Sequence, residues 1–307
     1  MFAGEFEFAR ECHDKAKIFA DEKFVGFFVF LYKFSRKICY HITVMRYVLV
    51  TGAFGGMGRA VVKKLVENGF TVFALDKIVG EAYDGVIPVE CDVTDTESVL
   101  KAVETVKSTT DTLYAILHFA GIYTLDSLVE MPDQKFMRAF EINVFGAYRI
   151  NKAFLPLLKS GSRILITTSV LAPLDPLPFT GLYAITKSTL DKYAYSLRME
   201  LQLLGIKVAV LRPGAIDTGM IGASTKALDE FCENTEIYDC NAKRFKGIVE
   251  KVEARKVSPE RVAKIALKAI NAKKPKQVYK LNRNPLLLLL NALPRRMQTF
   301  IIGKILK

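Results

Sequence analysis

Tyr183 and Lys187 stand four residues apart at the start of a predicted helix, so one helical face carries both side chains. That pair can move a proton. A free phenol, with a pKa of about 10, is a poor base at neutral pH. A lysine ammonium held beside it favours the phenolate and tunes the tyrosine for proton transfer. Fourteen positions upstream, Ser169 closes a predicted strand, where a hydroxyl faces the crevice in which doubly wound sheets bind ligands. Asn143 falls inside a long predicted helix, where an amide has little helical preference and needs partners if buried. The spacing Y-x-x-x-K is common on solvated helix faces, and it gains weight here from those neighbours.

A second group of residues suits a phosphate. In Thr51-Gly-Ala-Phe-Gly-Gly-Met-Gly58, the glycines Gly52, Gly55, Gly56 and Gly58, with Met57 among them, lie between a predicted strand and a predicted helix. Glycine there permits a tight turn and a close backbone approach to a pyrophosphate, while the helix N-terminus offers free N–H groups. Asp76 ends the next strand, about 20 residues on, where an acid accepts hydrogen bonds from ribose hydroxyls. A carboxylate there repels the 2′-phosphate of NADP, and the nearby Lys77 and Arg59 soften that discrimination. NAD is the expected cofactor and NADP the second choice.

The elements that must hold these residues alternate. Tyr47–Val50, Val72–Leu75, Val86–Val89, Tyr114–Phe119, Ile164–Thr167 and Val208–Leu211 read as short buried strands. Helices are expected after the glycine loop as far as Asn68, from a Thr94/Glu97 capping box, over about 133–158, over Leu182–Leu204, and from Ser258-Pro259. Strand and helix in alternation predict an α/β fold. It is a single Rossmann-type domain, a doubly wound parallel sheet with helices on both faces.

Taken together, the chain resembles the short-chain dehydrogenase/reductase family, hydroxysteroid dehydrogenases included. The glycine string fits T-G-x-x-x-G-x-G, and Asp92-Val93 matches an Asp-Val pair that touches adenine in that family. His118-Phe119-Ala120-Gly121 stands where the family has N-N-A-G, agreeing only at Ala120 and Gly121. Pro213-Gly214-Ala-Ile216-Asp-Thr218 fits P-G-x-x-x-T, which holds the nicotinamide carboxamide. The resemblance implies interconversion of a secondary alcohol and a ketone. Tyr183 would exchange the proton, Ser169 orient the substrate oxygen, Lys187 bind the nicotinamide ribose and tune the tyrosine, and Asn143 hold a relay water.

The glycine string also satisfies T-G-x-x-G-x-x-G of the nucleotide-sugar epimerases and dehydratases, which often carry a His-aromatic-Ala set like His118-Phe119-Ala120. The stretch around 213–220 and the short remainder of the chain favour the shorter branch. His118 itself reads as a core residue at a strand end. A catalytically silent NAD-sensing module is the other alternative, opposed by the presence of all four residues of the Asn-Ser-Tyr-Lys set.

Composition sets outer bounds. Five scattered cysteines without a C-x-x-C pair, and three histidines, leave no metal site and no disulfide framework, and fit a reducing cytoplasm. The net charge of +12 is concentrated late: Asn271–Lys307 holds nine Lys and Arg and no acid, which argues against nucleic acid as a partner. Residues 1–44 read as an extension outside the fold with Met45 its functional start, 45–282 as the dehydrogenase domain with a substrate lid near 219–257, and 283–307 as a basic hydrophobic tail. Met220, Ile221, Phe231, Ile237, Tyr238 and Phe245 in the lid, with Leu171, Leu174, Leu177, Pro178 and Phe179 opposite, favour a hydrophobic, steroid-like alcohol or ketone. The tail allows two readings, peripheral contact with a membrane or closure of the pocket or of a subunit interface. A homo-oligomer is expected.

Overall fold

The structure, a computed structural model, describes residues 46–307. The expected extension at 1–44 lies outside the described residues. Strands β1 (Arg46–Thr51), β2 (Phe70–Asp76), β3 (Val86–Glu90), β4 (Leu113–His118), β5 (Leu158–Thr167), β6 (Lys207–Pro213) and β7 (Val278–Leu281) form one parallel sheet in the order β3-β2-β1-β4-β5-β6-β7. The order reverses between β1 and β4, which opens a crevice at the carboxyl ends of the strands.

Side chains alternate across the sheet with the two-residue period of a strand. Leu49, Phe73, Ile116 and Ile164 point to one core, while Val48, Val50, Val72 and Leu117 point to the other. The first core is covered by α2 (Thr96–Lys107), α4 (Gly146–Phe154) and α5 (Gly181–Leu201), through residues such as Val103, Phe154 and Leu190. The second is covered by α1 (Gly56–Val66) and α8 (Pro259–Asn271), through Val61, Leu65, Val262 and Ala266. Burial on both faces explains why these strands are apolar throughout rather than alternating.

Several boundaries differ from the sequence reading. The long helix expected over 133–158 is α3 (Asp133–Phe140), a π-helical turn over Glu141–Phe145, and α4, followed by a 3₁₀ turn over Leu155–Leu157. β5 begins at Leu158, six residues earlier than Ile164. α2 is capped by Asp95, whose carboxylate accepts from the Glu97 N–H at 3.0 Å, and not by Thr94. The Thr94 hydroxyl is already committed, donating to Asp92 at 2.7 Å. Ser258 precedes α8 without a side-chain capping bond. β7 was not anticipated.

The segment expected to be a lid folds as α6 (Gly219–Asn234) and α7 (Asp239–Glu253), and the tail as α9 (Pro285–Asn291) and α10 (Arg295–Leu306). Leu228, Phe231, Phe245 and Leu306 form a third apolar cluster with Leu125, joining lid to tail. Among the described residues no helix is long and apolar enough to cross a membrane.

Candidate active site

The segments that follow β1, β4, β5 and β6 converge on one cavity of about 430 Å³. At its β1 side the glycine loop is built as the spacing requires. Gly52 has a φ of +65°, and a Cβ on Gly58 would lie 2.0 Å from the Gly52 carbonyl oxygen. Loop and helix therefore touch backbone to backbone. A Cβ on Gly56 would lie 2.5 Å from Thr218 Cβ, so the glycine loop also abuts the segment after β6. α1 starts after Gly55 with no side-chain cap and no acid in its first turn, leaving its terminal N–H groups for an anionic partner. These features fit the pyrophosphate of a dinucleotide.

Asp76, at the end of β2, accepts from the Phe54 N–H at 3.0 Å and the Lys77 N–H at 2.8 Å, which fixes its carboxylate beside the loop. The Lys77 ammonium turns away to Asp92, 2.6 Å distant. That contact, with the Thr94 bonds, holds the Asp92 carboxyl down at about 2 against the opposing effect of burial. Val93 packs on Gly146, where a Cβ would come within 2.8 Å of Val93 Cγ2. The Ala120 N–H reaches Thr51 Oγ1 at 3.4 Å. Met57, Gly121, Pro213, Gly214, Ile216 and Thr218 all line the cavity.

Ser169, Tyr183 and Lys187 line it too. Ser169 lies two residues beyond β5 rather than closing it, and its Oγ accepts from the Leu171 N–H at 3.1 Å. Tyr183 is in the first turn of α5, with Tyr123 edge-on to it at 4.6 Å between ring centroids. Lys187, one turn on, donates from Nζ to the Thr167 carbonyl at 3.2 Å and sits 5.8 Å from the Tyr183 ring centroid. Burial pushes the Tyr183 phenol up to about 12, with the Ser169 hydroxyl pulling the other way. Burial also brings the Lys187 ammonium down to about 8. Desolvation at Tyr183 thus favours the neutral phenol, against the direction expected from the lysine.

Asn143 is buried in the π turn. Its Oδ1 accepts from the Ile122 N–H at 2.8 Å, and its Nδ2 donates to the Ile122 carbonyl at 3.0 Å and to Thr186 Oγ1 at 3.1 Å. The amide thus clamps the segment after β4 to α5. A Cβ on Gly121 would lie 3.0 Å from Asn143 Oδ1 and 3.4 Å from Lys187 Nζ, so the three meet closely here. Thr186, Tyr123 and Thr167, whose buried hydroxyl has no hydrogen-bond partner, belong to this neighbourhood and were missed. Only Thr186 carried a signal, a hydroxyl one residue before Lys187. His118 lies in the core, its Nε2 2.8 Å from Asn151 Oδ1.

The walls are apolar, with Leu171, Leu174 and Leu177 facing Ile248, Val249 and Val252 of α7. Pro178, Phe179, Phe231, Ile237 and Tyr238 do not line the cavity. Phe179 instead anchors an aromatic cluster, with Phe231, Tyr238 and Phe245 at 4.9, 5.2 and 5.4 Å. The lid's aromatics spend themselves on joining the lid to the loop before α5. The tail supplies Pro285, Leu287 and Asn291 to the wall. It is pinned there by Asp175, whose N–H donates to Asn291 Oδ1 at 2.7 Å and whose carboxylate accepts from Arg295 at 3.2 Å and Gln298 at 3.4 Å. Among the described residues no group of side chains could hold a metal ion.

Comparison with known proteins agrees with this geometry. Estradiol 17-beta-dehydrogenase 2 from Mus musculus is 34% identical over 188 residues, covering 57% of this chain and 49% of its own. The chain thus spans about half the length of that relative. 3-Ketodihydrosphingosine reductase from Bacteroides thetaiotaomicron is 26% identical over 229 residues, covering 74% of this chain and 84% of its own. The crystal structure of a short-chain dehydrogenase from Streptomyces avermitilis superposes with a TM-score of 0.68 at 21% identity, covering 85% of this chain and 97% of that one. Residues 46–229, more than half of the sequence, match the short chain dehydrogenase family, and the chain belongs to it.

Proposed function

We propose that this chain is an NAD-dependent oxidoreductase that interconverts a secondary alcohol and a ketone on a hydrophobic, steroid-like substrate. The observation that carries the reading is the shared cavity: Tyr183, Ser169 and Lys187 line the same apolar chamber as the glycine-loop and post-β6 segments. A bound nicotinamide dinucleotide supplies the hydride acceptor for alcohol oxidation or the donor for ketone reduction. Tyr183 takes the hydroxyl proton in one direction and returns it to the ketone oxygen in the other. The Ser169 hydroxyl, beside the phenol, holds that oxygen in place. Lys187 orients the cofactor ribose and lends its charge to the phenolate when one forms. The relatives' names, with estradiol and a ketodihydrosphingosine in them, agree with a greasy substrate.

NAD is favoured over NADP because Asp76 is fixed beside the glycine loop while the neighbouring Lys77 is neutralised by Asp92. Replacing Asp76 with Ser should narrow the preference for NAD, and a wild-type chain that prefers NADP overturns this part. A cytoplasmic setting fits the free thiols of Cys91, Cys232 and Cys240. Homo-oligomerisation is supported by exposed Phe145, Tyr148, Tyr195 and Met199 on and beside α4 and α5. The reaction is tested by following NADH formation over a panel of hydroxysteroids, sugar alcohols and simple secondary alcohols. Turnover should favour the hydroxysteroids. Tightly bound NAD with no net NADH would instead select the epimerase alternative, and cofactor binding without turnover of any panel member the sensing module.

A further inference from the structure

We propose that the outward face of α9 and α10 docks on the surface of an anionic phospholipid bilayer. Docking is a claim about binding, and it stands whether or not the reaction proposed above is correct. α9 has two faces. Leu287 and Asn291, four apart, line the cavity, while Leu286 and Leu289, three apart, are 66% and 65% exposed. α10 buries Gln298 and Leu306 and turns Met297, Phe300 and Lys304 outward at the i, i+3, i+7 spacing of a single stripe. Phe300 is 66% exposed. A soluble surface rarely gathers so many large apolar side chains in so short a segment without a partner.

The charges say which partner. Residues 283–307 contain no acid, and while Arg283 lines the cavity and Arg295 pairs with Asp175, Arg296, Lys304 and Lys307 are exposed. Across a symmetric interface with a second copy, the same patch meets itself and these cations face one another. Against a bilayer, apolar side chains enter the acyl boundary and cations meet anionic headgroups, the arrangement of an interfacial helix. The Asp175 contacts to Asn291, Arg295 and Gln298 hold both helices against the loop that walls the cavity. The helix that bears the lipid-facing leucines is also a wall of the pocket. A membrane-dissolved molecule would therefore meet the pocket at the docked edge.

The test is co-sedimentation of the full chain with phosphatidylcholine vesicles, with and without phosphatidylserine, at low and high salt. Wild type should bind the anionic vesicles and lose roughly tenfold or more in affinity on neutral vesicles or in high salt. Two sets of substitutions separate the contributions, Leu286→Ser with Leu289→Ser and Phe300→Ser, and Arg296→Gln with Lys304→Gln. None of these five side chains lines the cavity. Both sets should keep the wild-type melting temperature and NAD affinity while losing roughly tenfold or more in vesicle binding. Failure of the wild type to bind, or binding by both variants at the wild-type level, overturns the proposal. The second result would place lipid contact elsewhere in the chain. A serine variant that becomes a smaller oligomer by light scattering, beside a wild type indifferent to vesicles, would assign the patch to a subunit interface.

Discussion

In the proposed reaction, a phenol held up at about 12 by burial would make Tyr183 a donor first and a base second. Ketone reduction uses the form that dominates at neutral pH, whereas alcohol oxidation needs the minor phenolate. The kcat/KM for oxidation should therefore climb with pH, by up to roughly a factor of ten per pH unit, while that for reduction does not climb over the same range. An oxidation limb that stays flat from neutrality upward would contradict this assignment. Tyr183→Phe keeps the ring and its edge contact with Tyr123 but deletes the proton. Turnover should fall by about 10²–10⁴-fold with NAD affinity unchanged, measured by steady-state rates and cofactor titration. A variant retaining more than about a tenth of wild-type rate would show that the proton travels by another group. At this scale the sequence speaks to placement more than to environment. Spacing placed Tyr183 and Lys187 on one helical face, but the depth of burial that shifts both groups depends on Tyr123, Ser169 and Thr167, which come from other elements.

Between elements, polar side chains do the fastening. His118 at the end of β4 reaches Asn151 on α4, whose Nδ2 in turn donates to the Tyr193 hydroxyl on α5 at 3.1 Å. Burial lowers the His118 pKa from 6.5 to about 4, with the Asn151 bond acting in the opposite sense. An unfolded chain takes up this proton below 6.5 and the folded one does not until about 4. Its contribution to stability is thus complete above the upper value and drains away as pH falls toward the lower, by no more than about 1.4 kcal/mol per pH unit. Urea unfolding across that window should show the slope, and His118→Gln should flatten it. If the variant and the wild type keep the same slope, the histidine is not the titrating group. The elements that were legible were those buried on both faces, because a continuous apolar run between turn residues is a strong local mark. β7 was missed because Val278-Tyr-Lys-Leu is only four residues long and interrupted by a lysine, and it pairs with β6 at the sheet edge. The π turn was missed because one extra residue in a helix barely disturbs the apolar period, yet that turn is what brings Asn143 under Ile122.

For the whole molecule, the tail is the feature that the sequence left most open, and the structure joins its two ends of the question. Leu287 and Asn291 of α9 line the pocket while Leu286 and Leu289 of α9 and Phe300 of α10 face outward, so the wall of the pocket and the proposed docking surface meet on α9. Regular alternation of apolar strands and helices made the fold legible in the middle of the chain. The tail's meaning was not legible, since a leucine run says nothing of which leucine faces which side. Asp175 then has a thermodynamic consequence. It bonds Asn291, Arg295 and Gln298 from the loop that walls the cavity, and so ties loop to tail. Through that tie, an agent that narrows the conformations of one should narrow those of the other, and the coupling free energy is the same in both directions. A bilayer that settles the tail should sharpen substrate affinity by the same factor by which bound substrate sharpens affinity for the bilayer. Measuring both dissociation constants closes that square, and Asp175→Ala should reduce the two factors together toward one, leaving an enzyme for which membrane and substrate are independent ligands.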